Sequence, residues 1–185
     1  ASVQGYIDNI VNPAQSATWD LLVPLAREVA GLFPLGMLHL GADEAPHGAW
    51  GGSPAVAALN VREGLETSDD VQGWMLAKLT GELASSGIKV AAWEEAAKGC
   101  QGGIGNGALL FSWTGQGPGI EAARRGHDVV MCPAQNAYFD LAHSDNPEDW
   151  GAAWAGFVPL GRTVAWDQVP KGAEDIAPRI TGVEA

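Results

Sequence analysis

Cysteine, basic residues and long apolar runs are all scarce in this sequence, and each shortage removes a class of protein. Cys100 and Cys132 are the only cysteines. They stand in separate segments and in no C-x-x-C pair, so they can build neither a disulfide framework nor a zinc ribbon. Cys132 ends the run Val129-Val130-Met131-Cys132 and is expected to be a small buried apolar residue. Lys and Arg number 10 against 22 Asp and Glu, for a formal net charge of -12. Nucleic acid and anionic membranes both call for a basic surplus, so neither is expected as a partner. A neutral sugar is compatible with such a surface. No stretch approaches the ~18–20 consecutive apolar residues that cross a bilayer. Residues 1–6 lack a basic segment followed by an apolar one, so no signal peptide is visible. The N-terminus reads as truncated, which leaves cytoplasmic and secreted locations both open.

What is present is globular in character. The 185 residues are 46% hydrophobic and 17% charged, enough to bury a core within one domain. Asn12-Pro13 opens a turn, and residues 19–32 carry Trp19, Leu22, Val23, Leu25, Ala26, Val29 and Leu32 at helical spacing. Pro34 and Gly36 end that helix. Residues 37–40 read as a short strand, and 45–54 as a Gly-rich loop. Ser68-Asp69-Asp70 is expected to cap a helix running through Leu83, with Gly87 just past its end. Further strands are expected at 88–93, 108–113 and 128–133, a short helix at 121–126, a loop-rich tail from 145 to 180, and a strand fragment at 180–185.

Strand, helix and strand in alternation mark an α/β fold built on a parallel sheet. A doubly wound sheet and a (β/α)8 barrel share this rhythm. No G-x-G-x-x-G follows a first strand, and polar or aromatic residues recur after several strands. Both observations favour the barrel, whose reacting groups come from many strand ends.

The sharpest local feature is His39-Leu40-Gly41-Ala42-Asp43-Glu44 at the carboxyl end of an apolar strand. Neighbouring side chains on a regular strand point to opposite faces. For Asp43 and Glu44 to serve one pocket the backbone must bend, and Gly41 makes that bend easier. The bland alternative is an acidic strand-to-loop transition with both groups in water. A metal site of His39, Asp43, Glu44 and His47 is a weaker reading, because nothing like H-E-x-x-H on a helix is present; no metal or other cofactor is expected. The next strand ends in Trp93-Glu94-Glu95, the third in Phe111-Ser112-Trp113, and the fourth leads to Tyr138-Phe139-Asp140. Eight tryptophans is a high count, and two stand at corresponding strand ends. Indoles suit the apolar C–H faces of a pyranose and the positive charge of a glycosyl-transfer transition state.

His39-x-Gly41-x-Asp43-Glu44 resembles the H-x-G-G-D-E signature of glycoside hydrolase family 20, the β-N-acetylhexosaminidases, with Ala42 in place of the second glycine. The similarity continues in order through Asn12-Pro13, Trp93-Glu94-Glu95, Phe111-Ser112-Trp113, residues 126–131, Tyr138-Phe139-Asp140 and residues 180–185. It implies that residues 1–185 are a fragment of a catalytic TIM-type (β/α)8 barrel, from the fourth to the seventh βα unit plus the start of strand eight. A complete barrel takes about 250 residues. The fragment is therefore expected to need the remaining barrel half or to self-associate.

The same resemblance implies a function. The substrate would be a glycan ending in N-acetylglucosamine or N-acetylgalactosamine, cleaved with retention through an oxazolinium intermediate formed by the sugar's own acetamido group. Glu44 would be the general acid and base, Asp43 the partner of the acetamido N–H, and Tyr138 the donor to the acetamido oxygen. Trp93 and Trp113 would wall the acetamide, and Asp140 would bind a sugar hydroxyl. His39 would either buttress the acids or pack in the core. Competing readings are a carbohydrate-binding or vestigial barrel without turnover, a metal-dependent hydrolase, and a retaining glycosidase with a protein nucleophile.

Overall fold

The computed structural model describes residues 10–46, 48–99 and 101–185. Residues 1–9, His47 and Cys100 lie outside them, and with them the signal-peptide and His47-ligand readings. The chain divides into two units, Ala1–Ala108 and Leu109–Ala185.

In the first unit, Asn12 shapes the entry to helix α1, Ser16–Gly31. Its side-chain oxygen accepts from the Ala14 N–H (3.0 Å), and its carbonyl accepts from the Thr18 hydroxyl (2.6 Å). The buried stripe of α1 runs through Thr18, Ala26 and Ala30. Leu25 and Leu32, expected on that stripe, are 49% and 75% exposed. Steps of four residues from Thr18 carry the contact line toward Ala30 and leave Leu21, Leu25 and Leu32 along its flank.

Strand β1, Met37–His39, pairs in parallel with β2, Lys89–Trp93, with Leu38 opposite Val90 and His39 opposite Ala91. Val90, Ala91 and Ala92 are all buried, as expected of a strand covered on both faces. Two helices lie between these strands. Helix α2, Pro54–Glu63, occupies a stretch not expected to be helical. Its signals are nonetheless local: Ser53 caps the Val56 N–H, Pro54 opens the first turn, and Gly64 closes the helix at φ 68°. Helix α3, Ser68–Ala84, begins at the first residue of the expected cap, and its actual cap lies one residue earlier. Thr67, not Ser68, is the N-cap, because a reciprocal box needs a hydroxyl three residues before Asp70. Asp70 accepts from the Thr67 N–H (2.9 Å), and Thr67 accepts from the Asp70 N–H (3.1 Å). Val56, Leu59, Leu65 and Val71 form a shared core between the two helices. On the outer side, Lys78 sits 4.2 Å from the Trp19 ring and 5.2 Å from the Trp74 ring, linking α1 to α3.

In the second unit, β3 (Leu109–Ser112), β4 (Asp128–Met131) and β5 (Ile180–Val183) form successive parallel pairs. Helix α4, Gln116–Arg124, crosses from β3 to β4 and reaches further back than the expected 121–126. Its Gly119 lies so close to Met131 and Ser112 that a Cβ there would meet both at under 3 Å. Helix α5, Ala134–Ala137, follows β4, and α6, Leu160–Ala165, falls in the tail. Arg124 grips Asp175 with two hydrogen bonds of 2.9 and 3.1 Å, which holds the Asp175 carboxyl below its usual range and raises Arg124. Cys132 is buried, as expected.

The chain is thus α/β, and within each unit every strand pairs in parallel with the next one in sequence. That order is the one a barrel uses; a doubly wound sheet reverses it at its switch point. Among the described residues no helix is long and apolar enough to cross a membrane.

Helix α3 is held close to the segment after β2. A Cβ on Gly73 would meet the Gly103 Cα and the Lys98 carbonyl oxygen, each at 2.9 Å. Helix propensity alone favours Ala over Gly by about 1 kcal/mol, whereas overpacking against backbone costs ~1–3 kcal/mol. Packing wins at this position. Gly73→Ala should lower the urea midpoint, while Gly81→Ala on the same helix, with nothing within 4 Å, should raise it. Stabilisation by both would show that α3 does not approach the 98–103 segment so closely.

Candidate active site

The first unit carries the two acids. Beyond β1 the backbone enters the left-handed region three times in four residues: Gly41 at φ 72°, Ala42 at φ 81° and Glu44 at φ 49°. This is the bend that two consecutive carboxylates need if they are to share a face. Its result is that Asp43 and Glu44 both line one cavity of about 600 Å³, together with Leu40, Trp50, Gln72 and Met75. Asp43 is exposed and Glu44 half-buried. A smaller cavity of about 150 Å³, lined by α2, α3 and the loops that precede them, holds neither acid.

Backbone and side-chain bonds brace the bend on both sides. The Leu40 N–H donates to the Ala91 carbonyl (2.8 Å) and the Trp93 N–H to the Gly41 carbonyl (2.9 Å), which extends the β1–β2 pairing past the last strand residue. The Gly41 N–H donates to Nδ1 of His39 (3.1 Å). From α3, the Gln72 side-chain amide donates to the Ala42 carbonyl (2.6 Å). His39 is exposed, which corrects the core-packing alternative. Strand β1 is only three residues long and His39 ends it, so its side chain leaves the sheet with the turn. The imidazole packs edge-on against Trp93 at 5.0 Å, and an accepting Nδ1 places the ring proton on Nε2. His39 and Trp93 therefore form one wall of the turn.

The second unit carries the other expected site residues. Trp113 follows β3, and Tyr138 and Asp140 follow α5. Trp154 joins them as a residue that strand-end reasoning missed. Its ring lies edge-on to both Trp113 and Tyr138, at 5.9 Å in each case. The loop bearing Trp154 is pinned back on the Tyr138–Ala142 segment. Ala152 donates to the Asp140 carbonyl (2.9 Å), Ala142 to the Ala152 carbonyl (2.8 Å), and Val158 to the Ala142 carbonyl (2.9 Å). Gly151 fits this return, since a Cβ there would strike the Ala142 nitrogen. Asp140 is exposed and Tyr138 half-buried. The structure thus groups Asp43, Glu44, His39 and Trp93 in one unit, and Trp113, Tyr138 and Asp140 in the other.

Trp50, Gln72 and Trp154 are additions to the expected site. The only sequence signal for the tryptophans is their number, and Gln72 has none. Among the described residues no group of three or more His, Cys, Asp or Glu is arranged to hold a metal ion.

Ala42 has a measurable consequence. A left-handed residue with a Cβ carries about 1–2 kcal/mol of steric cost that glycine avoids. Glycine also loses more backbone freedom on folding, which offsets part of the gain. Ala42→Gly should therefore raise stability, by on the order of 1 kcal/mol, read as an upward shift in the urea midpoint at constant slope. A lowered midpoint would mean that Ala42 is not left-handed.

Comparison with known proteins fits this geometry. The catalytic-domain model of glycosyl hydrolase family 20 matches residues 1–185. A β-hexosaminidase of Vibrio furnissii is 36% identical over 99% of this chain, and one of Porphyromonas gingivalis is 29% identical over 91%. The chain spans 30% and 21% of those relatives. Among solved structures, the family 20 exo-β-N-acetylglucosaminidase of Vibrio harveyi in complex with N-acetylglucosamine superposes on all of this chain with a TM-score of 0.88. It is 34% identical, and 29% of its own length is covered. From the bent acidic turn after β1 to β5, this chain belongs to glycosyl hydrolase family 20.

Proposed function

We propose that this chain supplies the acid–base centre of an exo-β-N-acetylhexosaminidase that removes terminal N-acetylated hexosamines from glycans with retention of configuration. The observation that carries the proposal is the left-handed turn at Gly41–Glu44, through which Asp43 and Glu44 line the same cavity. Backbone strain of this kind gathers at functional sites, and here it sets a half-buried Glu44 beside an exposed Asp43. The relative from Vibrio harveyi, named as an exo-β-N-acetylglucosaminidase, lends its substrate class to the reading.

The chemistry follows from the roles of the two acids. The acetamido oxygen of the substrate attacks the anomeric carbon as the bond to the leaving oxygen breaks, giving an oxazolinium ion. Glu44 gives its proton to the leaving oxygen, then takes one from the water that attacks the same carbon, and the ring opens to the retained product. A nucleophile already tethered to the sugar carries an effective molarity of about 10⁵–10⁸ M, so the protein needs no nucleophile of its own. Asp43 accepts the acetamido N–H, which orients the amide and offsets the positive charge growing on it. Tyr138 donates to the acetamido oxygen, and Trp93 and Trp113 shield the amide from water. Asp140 takes a sugar hydroxyl. His39 supports the acids through the Gly41 N–H and the Trp93 ring.

Glu44→Gln in the full-length protein should lower turnover of substrates with poor leaving groups by about 10²–10⁴-fold, the usual scale of general acid–base catalysis. A substrate with an activated leaving group should keep more of its rate, and azide should restore part of it. Unchanged turnover, or binding of the sugar by the unaltered protein without hydrolysis, would overturn the assignment. Asp43→Asn should slow oxazoline formation by about a hundredfold. A normal rate on an N-acetylated substrate would remove substrate assistance from the mechanism.

A further inference from the structure

We infer that Gln72 is a positioning residue for the acidic pair, acting from α3 through the backbone of Ala42. The inference rests on the proposed acid–base role of Glu44 and names what holds that residue in place. Gly41, Ala42 and Glu44 are all left-handed, and two of the three carry a Cβ. Such a conformation persists only where the surroundings over-determine it. The braces from the strands end at Gly41: Ala91 accepts from Leu40, and Trp93 donates to the Gly41 carbonyl. The next carbonyl is that of Ala42, and it accepts the Gln72 amide at 2.6 Å across 30 residues of sequence. The peptide unit bearing that carbonyl leads directly into Asp43. Its orientation sets the direction in which Asp43 and then Glu44 leave the main chain.

Helix α3 is a rigid platform for that donor. The Thr67–Asp70 box fixes its first turn, one turn ahead of Gln72. Gly73, the next residue, sits against the Gly103 and Lys98 backbone with no room for a Cβ. Val71 and Leu76 on either side are buried. Gln72 is therefore held at a set height beside the cavity, which it lines together with Asp43 and Glu44. Without its amide, Ala42 is free to relax toward the right-handed or extended regions that alanine prefers, and such a relaxation would swing both acids.

The test uses Gln72→Met, which keeps the length of the side chain and removes the donor. In the full-length protein it should lower kcat by about tenfold to a hundredfold, the scale on which a catalytic group displaced by about 1 Å loses rate, and KM should move much less. The loss should be larger for a poor leaving group than for an activated one, because it is the proton delivered by Glu44 that is misplaced. Adding Ala42→Gly to Gln72→Met should not recover a rate lost through damage to α3. It should, however, change the rate of a turn that has merely lost its brace, and we expect partial recovery, since glycine occupies the left-handed region without help. Circular dichroism and the urea midpoint of Gln72→Met check that α3 still folds; if it does not, Gln72→Leu provides the same loss of the donor. Loss of activity that is equal for all leaving groups and unmoved by Ala42→Gly would overturn the inference, as would an unchanged kcat. Glu44→Gln assayed in parallel keeps the two ideas apart: if it is inactive while Gln72→Met is normal, the positioning role fails and the acid–base reading stands.

Discussion

Two adjacent carboxylates on an extended chain point to opposite sides, and the left-handed turn after β1 is what cancels that geometry. Most of the first unit can be understood as support for this turn. Pairing of β1 with β2 carries the ladder one step beyond His39, so the strained residues begin at a fixed point. The His39 ring caps the Gly41 N–H, which the turn removes from the ladder. The cost of left-handed Ala42 and Glu44 is local, and it is met by contacts from elements distant in sequence. Strain at these positions is thus a property of the whole unit and not of the six-residue motif.

Small residues allow those elements to come close enough. Gly73 lets α3 lie against the segment that follows β2, and Gly119 lets α4 lie against β3 and β4. The strands beneath are correspondingly lean, with Val90, Ala91 and Ala92 in β2 and Leu110 buried in β3. A parallel strand covered on both faces gives helices a flat surface, and a glycine at the point of contact sets how near they come.

The parts of this arrangement that sequence reveals are those written in a single local pattern. Short apolar runs at 37–40, 88–93, 108–113 and 128–133 mark the strands to within a residue or two of Met37–His39, Lys89–Trp93, Leu109–Ser112 and Asp128–Met131. The acidic motif stands out because two charges follow an apolar strand. Helix α2 escapes because the Gly-rich stretch before it hides the Ser53-Pro54 start, though Gly64 marks its end plainly. The cap of α3 is misplaced by one residue because Thr67 and Ser68 are both good caps, and only the partner Asp70 decides between them. Gln72 could not be found this way. Its role depends on a carbonyl 30 residues away, and nothing in the helix pattern distinguishes it from any other polar residue of α3. Leu25 and Leu32 fail for a related reason: periodicity identifies an apolar stripe but not how much of its width is covered.

The tryptophans sharpen this distinction between pattern and placement. Among the described residues the buried core consists of Ala, Val, Leu, Ile, Met and Cys, and no Trp, Tyr or Phe is fully buried. Large aromatic side chains ordinarily bury the most area, and here Trp50 and Trp74 pack against Val56, Leu59, Leu65 and Val71 while only partly buried themselves. Trp19 and Trp74 stand on α1 and α3, Trp93 and Trp113 at strand ends, and Trp50 and Trp154 in loops. These six divide into two kinds. Trp19 and Trp74 meet edge-on at 5.9 Å beside Lys78, where Trp19 donates to the Pro13 carbonyl and Trp74 packs against the core shared by α2 and α3. Trp93 lies against His39 beside the turn, Trp50 lines the cavity with the acids, and Trp113 meets Tyr138 through Trp154. The count alone therefore cannot separate the indoles held beside the acidic turn or on a pinned loop from those packed beside Lys78.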